Sequence, residues 1–294
     1  MRPGPAMAHS ASLGSLGQRG RERLLNVLAY ALLILAIAIV FIPLLWMLTV
    51  SVRPNLEVMK IPPDWIPQVL TLEGYRKIFT NKKFLIVFFN SMVISLIVTA
   101  LSLFLGATAA YALARFRFAG QRAVLMFLIT TQMFPLVLLC IPYFRIFITL
   151  GLYDTRTSLV IVYLTFTLPF CILMLRSYFL NIPREMEEAA MVDGCSRLGA
   201  IFRMLLPLSY PAFIGAGLYT YLLAWNEFLF AVVLIESWEN RVLTMAIYSL
   251  MAEFVTDWNT MMAFSVLASL PLVVAFVFLQ KFMVQGMTAG ALTS

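Results

Sequence analysis

Six stretches of this chain stay apolar for long enough to matter more than anything else in it: roughly 25–50, 85–112, 123–145, 158–178, 209–233 and 260–280. A run of about 20 apolar residues crosses the hydrocarbon of a bilayer as a helix. In lipid only helices and closed barrels satisfy every backbone N–H and C=O, and the short alternating strands of a barrel do not occur in this pattern. The fold class that follows is an all-α integral membrane protein with six transmembrane helices. Only 12% of the residues are charged, against about 25% in ordinary soluble domains.

The apolar runs divide the chain. Residues 1–23 are rich in Gly, Ser and Arg and read as a disordered tail. The first run is too long for a signal-peptide core and has no small-residue cleavage site behind it, so it reads as a retained anchor. Residues 24–84 then hold the first span and an external loop, 85–280 hold five further spans interrupted by a charged insert at 181–208, and 281–294 form a C-terminal tail. Six crossings put both termini on one side. If that side is the cytoplasm, 12 basic residues lie inside and 9 outside, which follows the positive-inside rule although six of the outer nine crowd into 51–84. The net charge of +7 is spread between the spans, so it reads as a topology signal and not as a nucleic-acid surface.

Several chemistries are excluded. The one histidine, His9, lies in the tail, which leaves no imidazole for catalysis or metal binding in the spans. Cys140, Cys171 and Cys195 have no metal spacing and read as small apolar residues. No G-x-x-x-x-G-K-[ST] loop is present, and Gly14, Gly17 and Gly20 have the wrong spacing to replace one. Energy for any transport has to come from elsewhere.

The insert reads PREMEEAAMVDGCSRLGAIFRMLLPL over 183–208. Asn181 suits a helix cap and Pro183 a first turn. Glu185, Glu187 and Glu188 follow, where carboxylates complement the helix dipole. Met186, Ala189 and Ala190 share a small apolar face, and Gly194 breaks the helix. Ser196 can cap a second helix with Leu198, Ile201, Phe202 and Leu205 on one stripe, and Pro207 stands just past its end. Physics alone leaves two readings open, a loop lying on lipid headgroups and a bent helix pair that docks into a cytoplasmic partner.

Here a resemblance becomes specific. Glu188-Ala189-Ala190, Gly194, Met204 and Leu206-Pro207 resemble the EAA loop of permease subunits of bacterial ABC importers. The stretches PLLWMLTVSVRP, LGATAAYALARFRF, LGLYDT, AWNEFLFAVVL and VQGMTAGA are similar to the MalG-like carbohydrate permeases, and the likeness covers about residues 25–292. It implies the type I importer permease fold, with the insert as a coupling helix that fits a cleft of an ATPase. Residues implied in that coupling are Glu187, Glu188, Ala189, Ala190, Asp193, Gly194, Arg197, Leu206 and Pro207. It also implies a second homologous permease subunit, two copies of an ABC ATPase carrying ATP and Mg, an external solute-binding protein and a sugar-like solute. No cofactor and no enzymatic activity are expected on this chain. The expected location is the bacterial inner membrane with both termini cytoplasmic. The chain ends in ALTS, without the basic residues often found there in the family, so no ATPase contact is assigned to it.

Polar residues within spans are costly and mark candidate solute contacts. Thr130, Thr131 and Gln132 precede Pro135 in the third span, where a kink is expected. The fifth span carries Tyr219, Tyr221, Trp225, Asn226 and Glu227, and the second Asn90 and Ser91. Asn90, Thr131, Gln132, Tyr221, Asn226 and Glu227 are the candidates for a sugar pathway; helix–helix hydrogen bonding and interfacial anchoring are the competing roles. The outer loop 235–258 places Leu243, Ala246, Ile247, Leu250, Met251 and Phe254 on one helical face. That face suits either a helix on the membrane surface or a contact for the binding protein. An ion-coupled secondary transporter is the rival function. Against it, Glu227 is the one carboxylate within a span and no internal repeat is evident.

Overall fold

The computed structural model describes residues 12–251 and 256–291, with side-chain surroundings for 23–251 and 256–281. The described chain is helical. A long first helix α1 (Ser12–Ser51) leads to the short α2 (Asn55–Val58) and α3 (Glu73–Thr80), then to α4 (Lys82–Arg115). Next come α5 (Gln121–Met133), a 3-10 turn Leu136–Leu139, α6 (Cys140–Thr149) and α7 (Arg156–Asn181). The insert holds α8 (Arg184–Val192), α9 (Arg197–Ala200), a π-helical turn Ile201–Leu205 and α10 (Leu206–Leu208). Then follow α11 (Tyr210–Trp225), α12 (Leu229–Leu234), a 3-10 turn Trp238–Asn240, α13 (Leu243–Ser249) and α14 (Trp258–Ala291).

Four helices are long and apolar enough to span a membrane alone: α1, α4, α7 and α14. Two bent helix pairs bring the number to six if each is one span: α5 with α6 at 97° and the Arg197–Leu208 segment with α11 at 74°. The third span is therefore broken at Pro135, not merely kinked. α5 stops at Met133, Phe134 is extended and Pro135 follows in extended geometry, because the residue before a proline is pushed out of the α region and proline brings no N–H to continue the ladder. The fifth span is also shorter than the run 209–233. α11 ends at Trp225, and α12 starts anew where the Glu227 carboxylate accepts the Phe230 and Ala231 N–H groups at 2.8 and 3.2 Å.

The tails differ from expectation too. The tail expected to be disordered to residue 23 is helical from Ser12; a long apolar helix needs no new nucleus to extend backward through a stretch without proline. Residues 1–11 lie outside the described part. At the other end α14 passes the expected boundary at 280 and runs to Ala291.

α4 is the central helix. It packs most extensively on α7, then on α11, while α1 packs chiefly on α14. The α4–α7 seam is close because Gly106 has no side chain: a Cβ there would stand 2.8 Å from Cys171 Sγ. Small residues at such a seam replace the missing hydrophobic drive between helices in lipid. Across the same seam the Ser102 and Thr167 hydroxyls are 2.9 Å apart. Cys140 and Cys171 are buried and all three cysteines are unpaired, in keeping with packing roles. The apolar length of α1 is exposed, a surface suited to lipid or to another membrane helix.

On the side of the bundle away from the insert, a polar clamp joins the end of α1 to the start of α14. Asn259 Nδ2 donates to the Ser51 and Arg53 carbonyls at 2.9 Å each. Asp257 accepts from Asn55 Nδ2 at 2.8 Å and from Lys77 Nζ at 3.0 Å. α1 and α14 leave this clamp in the same direction, so their described far ends both point toward the insert's side. Burial pushes the Asp257 carboxyl up, but the hydrogen bonds from Asn55, Lys77 and Thr260 outweigh it and hold it at about 2. A carboxyl depressed below its unfolded value of about 3.9 contributes stability above that value and loses it as pH falls toward 2. Asp257→Asn is expected to lower the thermal midpoint in detergent at pH 7 and to flatten its pH dependence between about 4 and 2. An unchanged midpoint would remove the clamp from the stabilising contacts.

Candidate functional site: a buried mount and an exposed insert face

The insert lies against the end of α4, and its residues divide by which way they face. The local chemistry mostly follows the sequence. Ser196 caps α9 by accepting the Gly199 N–H at 3.1 Å, and Gly194 sits at φ +89 as the bend requires. Two details differ. Asn181 closes α7 instead of capping the insert, and α8 begins behind Pro183. Pro207 lies within helix, because the π turn before it absorbs an extra residue and the helix continues to Leu208.

Among the residues expected to couple, Glu188, Ala189, Asp193, Gly194, Arg197 and Pro207 are exposed, while Ala190 and Leu206 are partly covered. Val192 is 87% exposed, and Leu198 and Phe202 are 66% exposed. Leu198 and Phe202 belong to the apolar stripe expected of the second helix, and Val192 ends α8 just before the Gly194 bend.

Glu187 faces the other way. It is buried, its carboxylate taking Arg115 Nε at 2.6 Å and the Tyr111 hydroxyl at 3.2 Å. Arg115 Nη2 also donates to the Ile182 carbonyl at 3.0 Å. Around this pair the last carbonyls of α4 are covered by side chains: Gln121 and Arg176 donate to Leu113, and Arg184 donates to Ala114. Cationic groups at a helix C-terminus suit its dipole. The Arg197 guanidinium lies 5.2 Å from the centre of the Phe116 ring. Glu187 thus belongs to a mount and not to the exposed face. Removing one partner of such a buried pair costs about 3–5 kcal/mol. Arg176 and Arg184 lie 63 and 70 residues along the chain from the carbonyls they cover, so the sequence around the α4 end carries no local signal of this role.

The six solute candidates do not form a single cluster. Thr131 donates to its own helix at Leu128, and the exposed Gln132 donates to the Phe166 carbonyl at 3.1 Å. Phe166 in turn stacks 6.2 Å from Phe230, whose N–H is held by Glu227. Asn226 is exposed and donates to the Leu222 carbonyl. Tyr221 faces α4 instead, with its hydroxyl 3.3 Å from Met92 Sδ. It borders an apolar groove of about 610 Å³ between α4, α11 and α14, which offers little to a polyhydroxylated solute. Asn90 is buried beneath the outer loop and donates to the Glu239 and Arg241 carbonyls at 2.8 Å each. In the loop 235–258, Leu243 and Ala246 of the expected apolar face pack into a core with Phe84, Trp225 and Phe264. Met251 is exposed, and Phe254 lies outside the described residues. No cluster able to hold a metal ion occurs among the described residues.

Residues 102–289 match the family model described as "Binding-protein-dependent transport system inner membrane component". The chain is 39% identical over 263 residues to the inner membrane ABC transporter permease protein YcjP of Escherichia coli K12, covering 89% of this chain and 94% of that one. It is 36% identical over 250 residues to the sulfoquinovosyl glycerol transport system permease protein SmoH of Agrobacterium fabrum, covering 85% and 88%. Its fold is similar, at a TM-score of 0.74 and 21% identity, to a chain of a bacterial ABC transporter that imports the acidic polysaccharide alginate, covering 95% of this chain and 99% of that one.

Proposed function

Because this chain belongs to the family of binding-protein-dependent transport system inner membrane components, we propose that it is one half of the translocation pathway of an ATP-driven carbohydrate importer. The observation that carries the reading is the insert: a bent helix pair mounted by a buried ion pair and presenting Val192, Leu198 and Phe202 outward. A loop lying loosely on headgroups needs no such mount. A separate ATPase docks on this face, a second permease completes the pathway, and an external binding protein delivers the solute. The insert and both termini then lie in the cytoplasm. Nucleotide binding draws the two inserts together and opens the cavity outward; hydrolysis releases the solute inward. ATP and Mg stay on the ATPase.

The carbohydrate class rests on the relatives, one of which is named for a glycosylated glycerol. Within this chain, Gln132, Asn226 and Glu227 with the half-buried ring of Phe166 offer the mixture of amides, carboxylate and aromatic face that sugars use. The test is uptake by native membrane vesicles given ATP and a panel of labelled di- and oligosaccharides, polyols and glycosyl glycerols. Uptake is expected to require ATP and to continue when ionophores collapse the proton and sodium gradients. Uptake that stops with the gradients, or that the purified chain performs alone in liposomes, would favour the ion-coupled alternative instead.

A further inference from the structure

α4 has a second face. Gly106 and Ser102 pack on α7, while Ala100, Phe104, Ala107, Thr108 and Tyr111 recur at helical spacing on another side. These five help to line a groove of about 660 Å³, whose facing wall is the insert's stripe of Leu198, Ile201, Phe202 and Leu205. Phe104 is 69% exposed although it belongs to a span, and the alanines at 100 and 107 leave room on either side of its ring. The groove runs from Ala100, near the middle of α4, to Phe116 and Arg197 just past the helix end. From Ala100 to Arg115 is about 22 Å at 1.5 Å per residue, half of the roughly 40–45 Å of a bilayer counted with its headgroups. The groove therefore covers one leaflet.

Its charge collects at the surface end of that leaflet. The Arg197 guanidinium lies over the Phe116 ring. Arg117 and Arg203, each next in sequence to a lining phenylalanine, are exposed. Among the described residues no carboxylate pairs with any of these three arginines. Arg203 reaches Cys195 Sγ at 3.9 Å. Glu187 is taken by Arg115 and Tyr111, and Glu188 and Asp193 belong to α8 and its end.

We propose that this groove seats an acyl chain of an anionic phospholipid from the leaflet on the insert's side, with the phosphate on Arg197. A guanidinium takes phosphate oxygens through parallel N–H bonds, and basic pockets beside membrane helices hold anionic headgroups. An acyl chain covers the apolar floor without leaving a polar group unpaired. A helix of another protein has no need of three arginines at one end of its seat. Val192 and Gly194 do not line the groove, so the lipid shares only the Leu198–Phe202 rim with the face proposed for the ATPase. The site depends on the membrane position of the insert and not on importer function.

The test uses the chain purified in detergent with whatever partners accompany it. The preparation is titrated with dioleoyl phosphatidylglycerol or dioleoyl phosphatidylcholine, and bound lipid is counted by native mass spectrometry. Phosphatidylglycerol is expected to bind more tightly. Arg197→Gln should weaken it about fivefold, the ordinary worth of one basic residue at a membrane surface, and leave phosphatidylcholine unchanged. Ala100→Trp adds bulk at an exposed position, which spares the fold, and should weaken both lipids. Equal affinity for the two lipids in the unmodified chain, or a preference that survives Arg197→Gln, marks annular lipid alone and overturns the site. Phe104→benzoylphenylalanine, irradiated in native membranes, identifies the occupant. A phosphatidylglycerol adduct supports the site; a crosslink to a second permease or to an ATPase in place of lipid overturns it. Absence of any ATPase from the preparation overturns the importer function and leaves the lipid measurement standing.

Discussion

Val192→Asp combined with Leu198→Asp is expected to release this chain from its ATPase and leave the permease folded. Both side chains are largely exposed, at 87% and 66%, so neither supports the fold. The double change places two carboxylates beside Glu188 and Asp193, on a face that already carries negative charge. If that face is desolvated by a partner, each buried unpaired carboxylate costs several kcal/mol, and central apolar anchors are where association energy concentrates. Affinity for the ATPase should fall by at least about a hundredfold, read as loss of the ATPase from a tag purification, with the thermal midpoint of the permease unchanged. If the insert instead lies on headgroups, ATPase recovery will be unaffected and the docking assignment fails.

Which parts of this arrangement could be read from the residues alone follows from how local each determinant is. Four of the six apolar runs, the cap at Ser196 and the bend at Gly194 are local statements about a few neighbouring residues, and the structure agrees with each. The breaks at Pro135 and Asn226 sit inside apolar runs, and hydropathy cannot distinguish a straight span from two helices meeting at 97°. The proline signalled a disturbance, but its size depends on α7, whose Phe166 carbonyl receives the Gln132 side chain. The mount was hardest to read. Arg115 and Glu187 stand 72 residues apart, and nothing near either one names the other. An arginine at the end of a span looks the same whether it marks topology or reaches back to hold a loop. Glu187 next to Glu188 looks like one acidic pair, yet a helix points consecutive side chains about 100° apart, so one turns to the mount and the other outward.

Gly194 is where the bend can be tested by degrees. The proposed docking face depends on α8 and α9 meeting at a fixed angle, and that angle is made by a φ of +89. A Cβ at this position would meet nothing within 4 Å, so substitutions are opposed by the backbone and not by neighbours. An L residue in the left-handed region costs about 1–2 kcal/mol, asparagine and aspartate least and β-branched residues most. Gly194→Asn should therefore keep most uptake, and Gly194→Val should lose about tenfold or more. Gly194→Asp, the change that first suggests itself for uncoupling, separates two causes. Its backbone cost resembles that of asparagine, but it adds a charge beside Asp193 on the exposed face. If aspartate fails where asparagine works, the partner senses charge at the bend. If asparagine and valine fail equally, the glycine is needed for the close approach of a partner surface and not for its φ. If valine transports at the unmodified rate with the ATPase in place, the angle between the two helices does not matter and the coupling assignment of this bend falls.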